Sequence, residues 1–342
     1  MLDLLIVAAY FFFVMLVAIS GRQKKEVTSE DYFLSSRSLQ WPSIAFSTIA
    51  TNIQGYQFLG MMGSAYLYGL AQASLEIKAV QGILLASFIF IPYYLKDRII
   101  TITQFIKKRL GKRVALLYSL ANISLFSTIT IGASLFWGAY AADVVFGEYL
   151  SVLNEDRLIR ITLLIVILGL FSATYTYFGG LSAVVRTDII QFVILISGGL
   201  VIVFIAIHHL GGWSELYNKT PHLMHLHLPS DHEKLPWTHI FGLFLLNINY
   251  WCANQSIVQR SLAAKSLRHA QIGLMVGGLM KYLMAVIIVI PGIALVGILG
   301  DNGLSDPDMS FPYLVNTYLP LGAKGLVLCA LFASLMSTVD ST

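Results

Sequence analysis

The feature that most constrains this chain is a series of nine apolar runs, each long enough to cross a lipid bilayer. A spanning helix needs roughly 20 consecutive apolar residues. The runs cover residues 2–20, 42–66, 71–95, 114–145, 158–179, 184–209, 238–256, 270–299 and 323–342. Because 57% of the residues are hydrophobic and only 12% are charged, an ordinary water-soluble globule is excluded. The sequence predicts an all-α polytopic membrane protein, with the lipid bilayer around it and no nucleic-acid partner.

The lysines and arginines fall unevenly on the two sides of the predicted membrane. The connections at 21–40, 96–113 and 257–269, together with Arg186, carry 15 of the 22 cations. Cytoplasmic loops of membrane proteins carry such an excess. We therefore expect these connections in the cytoplasm and the N-terminus outside.

One stretch inside the second run is unsuited to a continuous helix. Residues 47–60 read STIATNIQGYQFLG and are interrupted by Gly55. Polar side chains recur through the stretch, at Thr48, Thr51, Asn52, Gln54 and Gln57. Backbone that leaves a helix at membrane depth is tolerated only where it lines a cavity or coordinates a ligand. The stretch is therefore a candidate ion and solute site.

Glu76, Lys78 and Lys281 lie inside predicted spans, and an ionisable residue near the bilayer centre costs about 2.5–3.5 kcal/mol on insertion scales. Lys78 lies near the outer end of its span, and its long stem can carry the ammonium group to the interface. Lys281 lies deeper, so we expect an ion pair or a watery cavity, with Glu76 as the candidate partner. Glu76 and Lys78 are two residues apart, face different sides of their helix and should not pair.

A second polar and aromatic cluster interrupts the span at 238–256. The segment LLNINYWCANQ contains Asn247, Asn249, Tyr250 and Trp251. Amides beside an aromatic ring suit a neutral polyhydroxy ligand, which needs donors, acceptors and an apolar face to rest on. Hydrogen bonding between helices is the alternative interpretation of each asparagine.

The last span carries a stripe of hydroxyl groups. Ser334, Ser337, Thr338 and Ser341 recur every three to four residues and share one helix face. Such a stripe is commonly a packing surface in membranes. It becomes an ion site if its hydroxyls meet the freed carbonyls of the broken helix at 50–53, because sodium prefers several oxygen ligands.

Other kinds of site receive little support. No nucleophile-base-acid arrangement, phosphate loop or nucleotide fingerprint is present, so we do not expect an enzyme. The histidines between 208 and 239 lack the spacing of a known metal site, and a solvated loop is the simpler interpretation.

Several motifs, in the correct order, resemble the sodium/solute symporter family, and within it the bacterial sodium/galactose and animal sodium/glucose branch. They are TSEDYFLSSRSLQWPS, GGLSAVVRTDIIQ, YWCANQSIVQRSLAAKS, VIPGIA and MSTVDS. The resemblance implies one transmembrane transporter domain over 1–342 with a LeuT-type inverted-repeat fold. Residues 2–20 resemble an extra N-terminal helix, and 42–342 an incomplete core, truncated after the eighth core helix.

The resemblance also implies a set of site residues. Sodium ligands carry over as backbone or hydroxyl oxygens of Ala50, Ile53, Ser334, Ser337 and Thr338. Solute ligands carry over as Asn52, Gln57, Glu76, Asn247 and Lys281, with the ring of Tyr250 closing the inner side. Asp188 matches a position associated with cation coupling, and Ala79 stands where the family has a serine among its sugar ligands.

The expected function is sodium-coupled import of a small neutral sugar or polyol, galactose-like or glucose-like, by alternating access. The expected location is the plasma membrane, or the cell inner membrane in a bacterium. Sodium symport of inositol, sialic acid or an amino acid such as proline is the alternative. A solute-binding membrane sensor and a non-functional truncated product are alternatives of other classes.

Overall fold

Helices account for the architecture that the structure describes. The computed structural model describes residues 2–20, 28–55 and 57–342, with the backbone alone at position 148. The predicted loop cations Arg22, Lys24 and Lys25, and Tyr56 of the polar stretch, lie outside the described residues. No β-strand occurs within the described ranges, and the all-α prediction is confirmed.

Sixteen α-helices follow one another along the described chain. They are α1 (Leu2–Ser20), α2 (Ser29–Leu34), α3 (Trp41–Asn52), α4 (Met62–Tyr68), α5 (Ala73–Leu85), α6 (Ile91–Lys96), α7 (Ile102–Leu110), α8 (Lys112–Leu125), α9 (Ile131–Leu150), α10 (Arg157–Leu210), α11 (Trp213–Lys219), α12 (Ile240–Ile248), α13 (Gln255–Leu262), α14 (Leu267–Leu299), α15 (Ser310–Tyr318) and α16 (Ala323–Ser341). Short 3₁₀ turns lie at Ser35–Arg37, Gly69–Gln72, Pro221–Leu223, Trp237–His239 and Pro307–Met309.

Several helices are joined by a π-helical turn, a widened turn that is frequent at functional sites. The turns are Gln57–Met61 before α4, Ala86–Phe90 before α6, Phe126–Thr130 before α9 and Asn249–Ala253 after α12. The first and the last of them fall in the two stretches that the sequence predicts to be interrupted.

Six helical segments among the described residues are long and apolar enough to cross a membrane. They are Leu2–Ser20, Gln57–Lys96, Lys112–Gly147, Arg157–Leu210, Leu267–Leu299 and Ala323–Ser341. Arg157–Leu210 contains two of the predicted runs and bends between them at Gly180, whose φ of 55° lies in the left-handed region. The runs at 42–66 and 238–256 are broken, which is why neither forms one long uninterrupted helix.

The core lies where α10, α14 and α16 pack around α3. The contact of α10 with α16 is the largest between any two helices, and α14 packs against both α3 and α5. Within Ala323–Ser341, 78% of the most apolar window is buried. The helix with the hydroxyl stripe therefore lies inside the bundle.

The N-terminal helix α1 is fastened to the beginning of α16. The Oδ1 atom of Asp3 accepts hydrogen bonds from the backbone N–H groups of Gly322 (2.8 Å) and Gly325 (2.7 Å). A carboxylate in this position satisfies free N–H groups at a helix N-terminus and interacts favourably with the helix dipole. Asp3 is itself buried, so the contact is sealed from solvent.

Candidate functional site

The backbone opens after α3, in the middle of the polar stretch. In a continuing helix, the N–H of Gln54 would bind the carbonyl of Ala50. It instead donates to Oε1 of Gln57 at 3.2 Å. The N–H of Gln57 likewise turns away from the carbonyl of Ile53 and donates to the carbonyl of Gln54 at 2.9 Å. The carbonyls of Ala50 and Ile53 thus lose their helical donors, although both residues are fully buried.

The hydroxyl stripe of α16 lies against this opening. Thr338 Oγ1 donates to the carbonyl of Ser334 (2.9 Å) and lies 3.5 Å from the carbonyl of Thr51. Ser337 donates to Asp188, and its Oγ lies 3.5 Å from that of Thr51. Carbonyl and hydroxyl oxygens of two helices therefore converge in one buried region, and oxygen is the ligand type that hard cations prefer.

A second set of polar contacts joins most of the predicted solute residues. Lys281 forms an ion pair with Glu76 and donates a hydrogen bond to Oδ1 of Asn52. Nδ2 of Asn52 donates to the hydroxyl of Tyr250 at 3.0 Å, and Nε2 of Gln57 donates to Oε1 of Glu76 at 3.4 Å. We call these five residues the Lys281 cluster. The predicted pairing of Glu76 with Lys281 is confirmed, and it balances the charge of a lysine that is only 1% exposed.

Asn247 carries spare hydrogen-bonding capacity close to the same helices. Its side chain is 9% exposed, and its Nδ2 has no hydrogen-bond partner among the described residues. A Cβ atom at Gly82 of α5 would lie 2.7 Å from the Asn247 carbonyl and 2.9 Å from the ring of Trp251. The same ring lies 5.9 Å from Nζ of Lys281. Trp251 therefore links the helix of Asn247 to the Lys281 cluster.

At the second interruption, after α12, side chains donate hydrogen bonds to the backbone carbonyls, whereas the first interruption leaves its carbonyls without helical donors. The hydroxyl of Tyr94 donates to the carbonyl of Cys252 (2.9 Å), and the hydroxyl of Tyr118 donates to the carbonyl of Ala253 (2.8 Å). The side chain of Asn254 then accepts from the N–H of Ser256 and caps α13. Tyrosine hydroxyls thus satisfy carbonyls here, and the break orients side chains without freeing backbone oxygens.

Arg260 of α13 is fully buried against α3, α10 and α16. Its Nε donates to Ser47 (2.9 Å), and one terminal nitrogen donates to Thr51 (2.7 Å) and to Ser341. The same nitrogen pairs with Asp188 at 3.2 Å. We call these five residues the Arg260 cluster. Because Asp188 also accepts from Ser337, the cluster adjoins the hydroxyl stripe.

A cavity of about 290 Å³ lies between the hydroxyl stripe and the Lys281 cluster. It is lined in part by Thr51, by Thr338 of the stripe and by Tyr250 of the cluster. A second cavity, of about 410 Å³, is lined largely by hydroxyl and amide side chains. Neither cavity is lined by Glu76 or Lys281. The Lys281 cluster is therefore closed in this conformation, with Tyr250 at its boundary.

Lys78 departs from the expectation that its ammonium group reaches the membrane surface. Within the described part of the chain, its Nζ is enclosed by protein atoms and has no hydrogen-bond partner. The histidine-rich loop forms no group of three or more metal-binding side chains among the residues described.

The model of one family, the sodium:solute symporter family, matches residues 32–342. The chain belongs to this family. The resemblance found in the sequence motifs is thereby confirmed.

The chain is similar to several curated relatives. It is 33% identical over 372 residues to a sodium/glucose cotransporter of Vibrio parahaemolyticus, covering 99% of this chain and 66% of that protein. It is 32% identical to human sodium/glucose cotransporter 4, covering 99% and 54%, and 30% identical to the human sodium/myo-inositol cotransporter, covering 99% and 52%. The chain thus spans between about half and two-thirds of the length of these relatives.

Among solved structures, the chain matches the substrate-bound outward-open state of a Na+-coupled sialic acid symporter. The TM-score is 0.84 at 21% identity, and the match covers 100% of this chain and 71% of the other. The likeness establishes the fold, which is that of a Na+-coupled symporter. Together with the apolar helices, family membership makes this a multi-pass membrane protein.

Two residues of the polar interior of the bundle were not apparent from the sequence. Arg260 counted only as a cation of the connection at 257–269, yet α13 folds back into the bundle. The available signal was amphipathicity, since Ser256 and Arg260 lie one turn apart on the same face of α13. Asp340 lies within the hydroxyl stripe and accepts from the hydroxyls of Tyr175 and Ser341.

Proposed function

We propose that this chain forms the transport core of a sodium-coupled symporter that imports a small neutral sugar or polyol. The observation that carries the proposal is the adjacency of two sites at the break after α3. Freed carbonyls and the α16 hydroxyls lie on one side, and the charge-balanced Lys281 cluster lies on the other.

A neutral polyhydroxy solute fits the Lys281 cluster. Glu76 and Lys281 cancel each other's charge, so the site offers no net attraction to an anion or a cation. The amides of Asn52, Gln57 and Asn247 supply both donors and acceptors to hydroxyl groups. Tyr250 supplies a ring against which the solute's apolar face rests.

Sodium fits the oxygens on the other side of the break. In this proposal the carbonyls of Ala50, Ile53 and Ser334 and the hydroxyls of Ser337 and Thr338 bind the ion. Binding there draws α3 toward α16 and orders the stretch that carries Asn52 and Gln57. By linkage, sodium and solute then raise each other's affinity by the same factor. Asp188 serves coupling by orienting the hydroxyl of Ser337.

A single sodium ion provides a useful driving force. Moving one charge across about 100 mV releases about 2.3 kcal/mol. A tenfold sodium gradient adds about 1.4 kcal/mol. The sum corresponds to about 500-fold solute accumulation at equilibrium.

The proposed setting is the plasma membrane, or the cell inner membrane if the source is bacterial. The excess of lysine and arginine in alternate connections favours an orientation with the N-terminus outside. In that orientation the cavity beyond Tyr250 opens toward the cytoplasm, which suits release of an imported solute. The protein is then a carrier and not an enzyme.

Inositol is the favoured second substrate, because one relative carries the name sodium/myo-inositol cotransporter at 30% identity. It is a polyol and uses the same donors and acceptors as a sugar. Sialic acid is anionic and proline is zwitterionic, so both fit the neutral cluster less well.

Proteoliposomes with an imposed sodium gradient test the proposal, using the longest form that the reading frame encodes. Glucose, galactose, myo-inositol, sialic acid and proline are offered one at a time. We expect uphill uptake of a neutral sugar or polyol that vanishes when potassium replaces sodium. Saturable solute binding without any uptake would instead support a sensor, and uptake of proline or sialic acid alone would overturn the sugar assignment.

A further inference from the structure

A dense group of cations lies where α7 turns into α8. Five fall within seven residues, and all five are exposed: Lys107, Lys108, Arg109, Lys112 and Arg113. The hydroxyls of Thr103 in α7 and Ser119 in α8 lie 3.1 Å apart, so the two helices run side by side as a hairpin. The cations lie at the tip of this hairpin, and we call the five residues the basic tip.

Acidic side chains neutralise only part of the basic tip. Asp97 lies 2.9 Å from Nζ of Lys108 and 3.6 Å from a terminal nitrogen of Arg109. The hydrogen bond from Lys108 lowers the pKa of Asp97, so this carboxylate stays ionised and cancels one charge. Lys107, Lys112 and Arg113 form no ion pair with any described residue. The tip therefore keeps a net positive charge.

Apolar side chains adjoin the basic tip where α8 enters the predicted membrane. Leu116, Leu117 and Leu120 of α8 are between 57% and 68% exposed. Since α8 begins the candidate span Lys112–Gly147, these leucines lie at the end of a membrane segment, directly beside the cations. A phospholipid has the same arrangement, with a charged headgroup next to acyl chains.

We propose that the basic tip binds the headgroup of an anionic phospholipid whose acyl chains lie along the leucines of α8. The proposal uses the orientation given above, because anionic lipids are enriched in the cytoplasmic leaflet. Each cation near such a surface strengthens binding about fivefold. The connection before α14 also has two exposed cations, Lys265 and Arg268, but lacks such a cluster, and it serves as the comparison.

Native mass spectrometry of the full chain tests the proposal, with phosphatidylglycerol and phosphatidylcholine as probes. We expect preferential binding of phosphatidylglycerol. In K112Q/R113Q, that binding should weaken about 25-fold, while phosphatidylcholine binding stays the same. K265Q/R268Q removes the same charge from the same membrane side and should bind phosphatidylglycerol like the wild type. The charge-preserving variant K112R/R113K should also retain binding.

Three results would overturn the proposal. Equal losses in K112Q/R113Q and K265Q/R268Q would mean that only the total charge matters. Displacement of the lipid by glycerol phosphate at equal concentration would mean that a soluble phosphate is the ligand. A fall in melting temperature of K112Q/R113Q in lipid-free detergent would mean that the tip binds another part of the protein. None of these measurements needs transport, so they stand whether or not the symport proposal holds.

Discussion

Two buried ion pairs beside the broken helix are built in different ways. Lys281 contacts Glu76 and Asn52, and each further member of its cluster is joined to the next by a single hydrogen bond. Arg260 instead donates to side chains on two helices, α3 and α16, besides pairing with Asp188 on a third, α10. An ammonium group is a compact charge on a flexible stem, whereas a guanidinium holds several partners in a fixed plane.

This difference in hydrogen bonding suits the Lys281 cluster to exchanging partners and the Arg260 cluster to holding helices together. In the Lys281 cluster, hydroxyl groups of a solute can replace single hydrogen bonds, and the Asn247 amide is ready for another acceptor. In the Arg260 cluster, a ligand would have to displace several bonds at once. We therefore propose ligand binding for the first cluster and helix positioning for the second.

Breaking the Arg260 cluster should have the largest effect. Arg260→Gln leaves the carboxylate of Asp188 buried without its cation, which costs about 3–5 kcal/mol of folding free energy. Thermal unfolding of the purified protein measures the loss. The double variant R260Q/D188N removes both charges and should lose less than R260Q alone. If R260Q has the same melting temperature as the wild type, the Arg260 cluster does not hold the helices together.

Removing the hydroxyls next to the Arg260 cluster should abolish sodium dependence. With Ser337→Ala and Thr338→Ala together, we expect sodium affinity to fall by more than about 100-fold, or about 2.7 kcal/mol. Uptake into proteoliposomes at increasing sodium measures the change. Ser334→Ala is the matched control, because its hydroxyl donates to its own helix at the carbonyl of Leu331. Unchanged sodium dependence in the double variant would refute the ion site.

Breaking the Lys281 cluster should affect solute more than sodium. Lys281→Ala removes two contacts and should weaken solute binding about 10-fold to 100-fold. Met284→Ala, at a buried apolar position less than one turn further along α14, is the control. Equal losses of affinity in both variants would return Lys281 to a packing role.

Substitution of Asn247 should affect solute binding without affecting the stability of the protein. Since its Nδ2 has no described partner, Asn247→Ala should leave the melting temperature nearly unchanged while weakening solute binding about fivefold. Asn52→Ala breaks contacts with Lys281 and Tyr250, and it should lower both quantities. A stability loss in N247A as large as that in N52A would contradict this distinction.

The partly exposed ion pair of Asp97 with Lys108 should show the smallest effect. The hydrogen bond from Lys108 lowers the folded-state pKa of Asp97. Its contribution to stability is therefore present above the unfolded pKa of about 3.9 and is lost as pH falls through the lower folded value. D97N should melt close to the wild type at pH 7, and any difference should shrink as the pH falls below about 3.9. A large difference at pH 7 would show that exposure alone does not distinguish the three pairs.

The sequence predicted those site residues whose insertion into an apolar span costs free energy. Polar residues at 47–60 and the charges of Glu76 and Lys281 are expensive in an apolar run, so they stood out without a structure. The sequence did not predict polar contacts that form only because a connecting helix folds back into the bundle. Arg260 belongs to a connection by sequence and to the core by structure, and only the fold of α13 decides between the two. The sequence also could not show that Tyr94 and Tyr118 close one break while the other stays open.

The contact of Asp3 with α16 has a consequence for the order of assembly. Its two donors lie more than 300 positions later in the chain, with Gly322 319 residues away. At synthesis rates of about 5–20 residues per second, Gly322 is made about 15–60 seconds after Asp3. Until Gly322 and Gly325 are made, the carboxylate of Asp3 lacks both of these hydrogen-bond donors. Substitution of Asp3 should therefore reduce the amount of assembled protein in the membrane more than it changes the activity of each assembled molecule.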